Sequence, residues 1–202
     1  MVYVSAVLTA AGKSDRMGRP KPMLQWQGIP LIEYQIASLK QGGVDEIVVV
    51  LGHFADLLTP LLTRLEVRYV VNTEYEHGKT TSIKAGIAAV NPVATDLLLL
   101  AVDQPRPAGV VAKIVRSHCS KKALITLPRF GGRGGHPVVF DASLRPELEI
   151  VSEEKQGVRD VIKAHTLEIN LVQVYDPIIR LDINTVEEYE VARLRYEDLY
   201  AR

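Results

Sequence analysis

Cysteine, surplus charge and long apolar runs are all scarce in this sequence, and each shortage excludes a class of protein. The single cysteine, Cys119, cannot form a disulfide framework or a cysteine zinc site, and this makes a reducing cytoplasm the expected location. Lys plus Arg and Asp plus Glu both number 24, so no basic surplus indicates nucleic acid or a membrane surface as a partner. The longest apolar run, Leu97–Val102, is far shorter than the roughly 18 residues that span a bilayer.

The 202 residues show a regular alternation of short apolar runs and amphipathic stretches. Runs that are apolar throughout indicate strands buried on both faces of a sheet, and the stretches between them have helical spacing. This alternation predicts βαβ units, and the length suits one domain spanning residues 1–202. We therefore expect an α/β fold, a single Rossmann-like domain of three layers with a mostly parallel sheet. The expected strands are Val2–Leu8, Ile47–Leu51, Val67–Val71, Leu97–Val102, Ala123–Leu127, Pro137–Phe140 and Leu171–Tyr175.

Two further patterns concern the end of the chain and the histidines. Thr185-x-x-Glu188 has the spacing of a capping box and predicts the start of a helix. The apolar face of that helix would carry Tyr189, Ala192, Tyr196 and Leu199. The histidines without ligand spacing are expected at the surface; they are His53, His77, His118 and His165.

A glycine loop with four basic residues directly follows the first expected strand. It reads Thr9-Ala10-Ala11-Gly12-Lys13-Ser14-Asp15-Arg16-Met17-Gly18-Arg19-Pro20-Lys21. Ligands of open α/β sheets bind beyond the carboxyl ends of strands, and small residues let backbone amides approach a phosphate. The loop is not a Walker A motif, whose first glycine would fall on Val7, and it is not a G-x-G-x-x-G fingerprint. From its residues alone it is either a phosphate-binding loop or a solvated turn with incidental charges.

An acidic residue follows the expected central strand. Asp103 comes after Leu97–Val102 and should face the same crevice as the glycine loop. Mg²⁺ is commonly held by one or two carboxylates together with substrate phosphates and waters. Asp103 is therefore a candidate metal ligand, the alternative being an Asp that opens an Asp-x-Pro turn. Asp182, just before the C-terminal helix, is a second candidate.

Motifs along nearly the whole chain carry a family resemblance. They are the glycine loop, Asn72-Thr73-Glu74-Tyr75-x-x-Gly78-x-x-x-Ser82-Ile83, Asp103-Gln104-Pro105, Arg129–Val138 and Leu181–Glu188. With them the chain resembles the molybdenum cofactor cytidylyltransferases, a branch of the nucleotidyltransferase superfamily with the nucleotide-diphospho-sugar transferase fold. The sequence departs from the family at Asn184 and Val186, where Asp and Pro are usual, and at Thr9, where Leu is usual.

The resemblance implies transfer of CMP from CTP, or from another nucleoside triphosphate, to the terminal phosphate of molybdopterin, with Mg²⁺ as cofactor. Arg16 is expected on the β,γ-phosphates and Lys21 on the α-phosphate, and with Asp103 they form the expected catalytic set. Asp103 and Asp182 would hold the metal, while Asn184 would add an amide oxygen or help to cap the helix. The expected nucleotide-binding residues are Thr9, Ala10, Ala11, Gly12, Lys13, Ser14, Arg16 and Lys21.

The acceptor pocket is expected to include Ser82, Arg133 and His136. Ser82 could instead cap a helix, and His136 could brace its loop. The resemblance implies CTP as the donor, since family members with Ala-Ala-Gly in the first loop tend to use pyrimidine nucleotides; the physical reason would be that the Ala11 methyl occupies space that a glycine leaves open. A molybdenum enzyme is a further expected partner. Two other functions stay open: nucleotidyl transfer to a phosphosugar or phospho-alcohol, and a non-catalytic nucleotide-binding or chaperone module for a molybdenum enzyme.

Overall fold

A mixed eight-stranded sheet forms the middle layer of the protein. The computed structural model describes the backbone of residues 1–200 and the side chains of residues 1–196, so the expected position of Leu199 lies outside the described side chains. The strands are β1 (Val4–Ala10), β4 (Glu46–Leu51), β5 (Arg68–Val71), β6 (Asp96–Ala101), β7 (Ile125–Phe130), β8 (Arg133–Gly134), β9 (Val138–Asp141) and β10 (Ile169–Gln173). A separate small hairpin pairs β2 (Gln25–Trp26) with β3 (Ile29–Pro30).

The strand order in the sheet is β10-β7-β9-β6-β1-β4-β5, with β8 paired to β7. The neighbours β6, β1, β4 and β5 are all parallel, as are β10 and β7. The short strand β9 runs antiparallel to both β6 and β7. The expected mostly parallel sheet is therefore confirmed, with β9 as the antiparallel exception. All seven expected strands are present, and the first extends past Leu8 to Ala10.

Helices cover both faces of the sheet. They are α1 (Leu31–Gln41), α2 (Ala55–Arg64), α3 (Lys79–Ala89), α4 (Ala108–Lys121), α5 (Arg145–Glu149), α6 (Val158–Ala164) and α7 (Val186–Tyr200). The hydrophobic core has two parts, one on each face of the sheet, and successive side chains of β1 point into them alternately. Leu8 packs with α1, α2, α4 and α7, whereas Val7 packs with α3, α5 and α6. We call these sides the α1 face and the α3 face; together they confirm the three-layer α/β expectation.

Two local expectations have different outcomes. The capping box is confirmed, because the amide of Glu188 donates to Thr185 Oγ1 and the amide of Thr185 donates to Glu188 Oε2, both at 3.2 Å. The surface position expected for His118 is wrong. His118 is 1% exposed, with Nε2 2.9 Å from Asp96 Oδ1 and Nδ1 2.8 Å from Thr126 Oγ1. These polar partners on the sheet allow an imidazole to lie on the buried side of α4.

No helix within the described residues is long and apolar enough to cross a membrane.

Candidate active site

A cavity of about 1010 Å³ opens at the carboxyl ends of the central parallel strands. This is where ligands bind in open α/β sheets. The residues that line it come from the glycine loop, the ends of β6 and β1, the start of α3, the turn before β9, α6 and the segment before α7. The expected site residues on its wall are Thr9, Ala10, Ala11, Gly12, Ser14, Arg16, Lys21, Ser82, Asp103, His136 and Asp182.

The second half of the glycine loop folds back, so that its last residue contacts Ser14 in the middle. Ser14 lies in the left-handed region, with φ 60°, and its Oγ accepts a hydrogen bond of 3.1 Å from the amide of Lys21. Gly12 has no atom within 4 Å of the place where a Cβ would lie, so its backbone is open toward the cavity. A loop closed in this way leaves backbone amides free to bind a phosphate. It also fixes the position of the Lys21 backbone, from which the side chain extends.

The three expected catalytic residues converge. Lys21 Nζ lies 2.8 Å from Asp103 Oδ2 and 3.1 Å from Asn184 Oδ1. Arg16 Nη2 donates to the same Asn184 oxygen at 3.3 Å. Asn184 therefore bridges the two cations and does not cap α7, a role that Thr185 takes.

Asp182 is held beside this group by its neighbours. Gln104 Nε2 donates to Asp182 Oδ1 at 2.8 Å, and the amide of Ile183 donates to the carbonyl of Asp103 at 2.8 Å. The second contact ties the segment before α7 to the end of β6. As a result, Asp103, Asp182 and Asn184 present their side-chain oxygens on one part of the cavity wall, in addition to Asp15 of the glycine loop.

This donor set suits a hard divalent cation. Mg²⁺ prefers oxygen ligands and usually completes its shell with substrate phosphates and waters. Among the described residues, no three His, Cys, Asp or Glu side chains are grouped closely enough to form a metal cage. The carboxylates of Asp103 and Asp182 therefore fit a metal that shares its coordination with a nucleotide, and the Asn184 oxygen serves the two cations instead.

Arg106 is the largest omission of the sequence-based prediction. Its guanidinium is completely buried and donates to four backbone carbonyls at 2.9–3.0 Å. Burial lowers the pKa of Arg106 to about 10, against the opposing effect of Asp182 and Asp103. The carbonyls belong to Pro105, His136, Ile179 and Leu181, so Arg106 joins the turn before β9 to the segment before α7. Its position directly after Asp-Gln-Pro was the only signal in the sequence.

The turn before β9 is shaped by glycine. Gly131 and Gly132 have φ of 56° and 79° and form the two-residue hairpin loop between β7 and β8. A Cβ on Gly135 would lie 2.2 Å from the carbonyl oxygen of Ile179, so only glycine fits there. The turn therefore brings His136 to the cavity, where the histidine amide donates to the same Ile179 oxygen at 2.9 Å.

His136 presents a neutral imidazole to the cavity. Burial, and then the nearby cations Arg106 and Lys79, lower its pKa to about 4. Its Nδ1 is buried and has no hydrogen-bond partner among the described residues. The ring therefore lines the cavity without bracing its loop through this nitrogen.

Two expected residues do not reach the cavity, and two cations that were not expected do. Lys13 pairs with Glu76 at 2.5 Å, which raises the lysine pKa, and it is not part of the cavity wall. Arg133 lies on the exposed strand β8, and it too is absent from the wall. Lys79 and Arg159 line the cavity instead. Lys79 occupies a variable position of the motif that runs from Asn72 to Ile83, and no sequence signal marked Arg159.

Ser82 lies on the wall within the first turns of α3. Its Oγ accepts a hydrogen bond of 3.0 Å from Asn72 Nδ2, which also donates to Thr81 Oγ1 at 2.8 Å. The cap of α3 is supplied elsewhere, by Glu153, whose Oε1 accepts the amide of Thr80 at 2.8 Å. Ser82 thus keeps its hydroxyl proton available to a ligand and is not needed as a cap.

Residues 6–169 match the family described as the MobA-like NTP transferase domain. This chain belongs to the MobA-like NTP transferase family. The match includes the glycine loop, Asp103 and the turn that carries His136, and it stops before Asp182 and Asn184. The family resemblance indicated by the motifs is therefore confirmed.

Two relatives of this MobA-like protein align along nearly its whole length. Nicotine blue oxidoreductase from Paenarthrobacter nicotinovorans is 33% identical over 193 residues, covering 92% of this chain and 94% of its own. Molybdenum cofactor cytidylyltransferase from Escherichia coli is 26% identical over 201 residues, covering 98% of this chain and 100% of its own. The family and the second relative support a nucleotidyltransferase.

Solved structures share the MobA-like fold. A nucleotidyl transferase from Methanothermobacter thermautotroptrophicus superposes with a TM-score of 0.82 at 24% identity, covering 98% of this chain and 99% of its own. Rv0371c from Mycobacterium tuberculosis, in complex with manganese, superposes with a TM-score of 0.79 at 22% identity, covering 96% of this chain and 99% of its own. At these identities the likeness establishes the fold.

Proposed function

We propose that this protein transfers the CMP unit of CTP to the terminal phosphate of molybdopterin, with Mg²⁺ as its metal and release of pyrophosphate. The observation that carries the proposal is the convergence of Arg16, Lys21 and Asp103 on one cavity in a MobA-like chain. The relative named molybdenum cofactor cytidylyltransferase, aligned over its full length, supports this donor and acceptor. The product would be delivered to a molybdenum enzyme.

The chemistry requires positioning more than proton transfer. A phosphate oxygen of the acceptor arrives ionised and attacks the α-phosphorus of CTP. One P–O bond forms there, and the bond to the departing pyrophosphate breaks with its electron pair on the leaving oxygen. Catalysis then consists of alignment and neutralisation of charge on the phosphates. No side chain has to act as a general base.

The residues on the cavity wall suit these tasks. Lys21 is 14% exposed and is already held by Asp103 and Asn184, so its ammonium is oriented before a nucleotide binds. Arg16, held from the same asparagine, can engage terminal phosphates in the bidentate manner of a guanidinium. A bound Mg²⁺ would neutralise charge on the nucleotide phosphates, with Asp103 and Asp182 as its protein ligands, while Asn184 Oδ1 keeps its hydrogen bonds from Lys21 and Arg16.

The test is a matrix of donors and acceptors. The purified protein is incubated with Mg²⁺, each of the four nucleoside triphosphates, and either molybdopterin or phosphosugars and phospho-alcohols. Pyrophosphate release is measured, and the nucleotidylated product is identified by mass. Release with CTP and molybdopterin alone supports the proposal. Release with a phosphosugar or phospho-alcohol would show that this compound, and not molybdopterin, is the acceptor. Tight nucleotide binding without release from any pair would indicate the non-catalytic module.

A redox reaction is the second candidate, favoured by the 33% identity to nicotine blue oxidoreductase. In that case the phosphate-binding loop would hold the pyrophosphate of a reduced nicotinamide dinucleotide, and its hydride would pass to a dye such as nicotine blue. The check is loss of the near-ultraviolet absorbance of the reduced nicotinamide with the dye present. Dye-dependent oxidation that exceeds any pyrophosphate release would favour this candidate over the transferase.

A further inference from the structure

The cavity carries positive charge on two sides of the sheet edge. The chain neighbours of Lys21 and Asn184, such as Leu24 and Ile183, pack into the core of the α1 face. The cations Lys79, at the start of α3, and Arg159, on α6, belong to elements that pack on the α3 face. The charges at Lys21 and Arg16 therefore account for only one side of the cavity.

No contact with another described side chain explains why Lys79 and Arg159 lie on the cavity wall. Among the described residues, neither makes a hydrogen bond or an ion pair, although Arg16 and Lys21 on the same wall do. Both line the cavity together with His136, and the charge of each lowers the pKa of its imidazole. Two unpaired cations on one side of a cavity indicate a place where an anion binds.

The remaining polar groups on this side separate a ligand site from an ordinary helix cap. The first free amide of α3, that of Thr80, already donates to Glu153, so the helix terminus itself is satisfied. His136, by contrast, lines the cavity, and its buried Nδ1 has no hydrogen-bond partner among the described residues. Glu153 offsets part of the positive charge, which leaves Lys79, Arg159 and His136 as the polar residues on this side without a partner.

We propose that Lys79, Arg159 and His136 form a second anion subsite, separate from that of the nucleotide phosphates, which binds the phosphate monoester of the acceptor. The inference rests on the proposed transferase function for the identity of that ligand. Apolar side chains that line the same side of the cavity suit a flat, weakly polar body attached to the phosphate; they are Leu127, Val138, Val158 and Ile162. The subsite would hold the attacking oxygen and specify a phosphate monoester as substrate.

The test measures binding without turnover. The protein is saturated with the α,β-methylene analogue of CTP and Mg²⁺, which cannot release pyrophosphate, and is titrated calorimetrically with phenyl phosphate. Lys79→Gln and Arg159→Gln should each weaken phenyl phosphate binding about tenfold, which corresponds to about 1.4 kcal/mol. Affinity for the nucleotide analogue should stay within about twofold of wild type. Both residues are exposed, so thermal unfolding should be unchanged.

Lys84→Gln is the matched control, since it removes the same charge from α3 at a position away from the cavity wall. Phenyl phosphate affinity unchanged in both variants would overturn the proposal. A loss of nucleotide affinity equal to the loss for phenyl phosphate would also overturn it, because the cluster would then belong to the nucleotide site. If phenyl phosphate binding depends on both residues but no acceptor gives pyrophosphate, the subsite is supported and the transferase is refuted.

Discussion

The pair formed by Asp103 and Lys21 allows catalysis and stability to be separated by one substitution. Asp103→Asn keeps the size of the side chain and an oxygen that can accept the hydrogen bond from Lys21 Nζ, now 2.8 Å long. What it removes is the negative charge. We expect this variant to fold like wild type and to lose nucleotidyl transfer.

The structure sets the size of both effects. The side chains of Lys21 and Asp103 are 14% and 25% exposed, so their contact is partly screened by water. Lys21 keeps its charge in the variant, so a hydrogen bond to a charged group remains, and only the partly screened attraction between two opposite charges is lost, which should cost up to about 1 kcal/mol. In a domain of this size that lowers Tm by roughly 2–4 °C. Loss of a charged metal ligand should lower kcat about a thousandfold, or about 4 kcal/mol in activation free energy.

The assay compares pyrophosphate release at saturating substrates with thermal unfolding of the same samples. Asp56→Asn, on the exposed surface of α2, is the matched control for activity and should leave kcat unchanged; because Asp56 lies in the first turn of the helix, the loss of its charge should cost about 0.3–1 kcal/mol of stability. A kcat within about threefold of wild type would refute the role of Asp103 in metal binding. A fall in Tm much larger than expected would show instead that the carboxylate is chiefly structural.

The remaining predictions concern stability, pH and the metal. Arg106→Met should lower the unfolding free energy in urea by about 3 kcal/mol or more, because four buried carbonyls lose their donor; a loss below about 1 kcal/mol would contradict this. Gly135→Ala should destabilise by about 2 kcal/mol or more, since its Cβ would lie 2.2 Å from the Ile179 oxygen, whereas Gly12→Ala should stay within about 0.5 kcal/mol. The pKa of His136 is lowered to about 4, against about 6.5 when unfolded, so the unfolded chain binds more protons between these values. Stability should therefore fall from about pH 6.5 to 4 by up to roughly 3 kcal/mol, and His136→Gln should flatten that slope in urea titrations at stepped pH. Chelation with EDTA should abolish pyrophosphate release and added Mg²⁺ should restore it; unchanged release would exclude the metal.

Local patterns in the sequence predicted the elements well, since strands and caps depend on neighbouring residues. The apolar run at Leu97–Val102 predicted β6, and Thr185-x-x-Glu188 predicted the start of α7. The glycine loop was located because small residues directly after a strand let backbone amides approach a ligand. His118 was misplaced because its partners, Asp96 and Thr126, lie on two other elements and leave no periodic signal.

By itself the sequence determined the three-layer α/β class and the positions of the glycine loop and of the acidic residue at the end of the central strand. Only the tertiary structure decided which charges share the cavity. It brought Asn184 between Arg16 and Lys21, drew Lys13 away to Glu76, and added Lys79 and Arg159 from the α3 face. The reason is physical: helix and strand periods are encoded by residues a few positions apart, whereas these contacts depend on the order of strands in the sheet and on the direction of the segments that follow them.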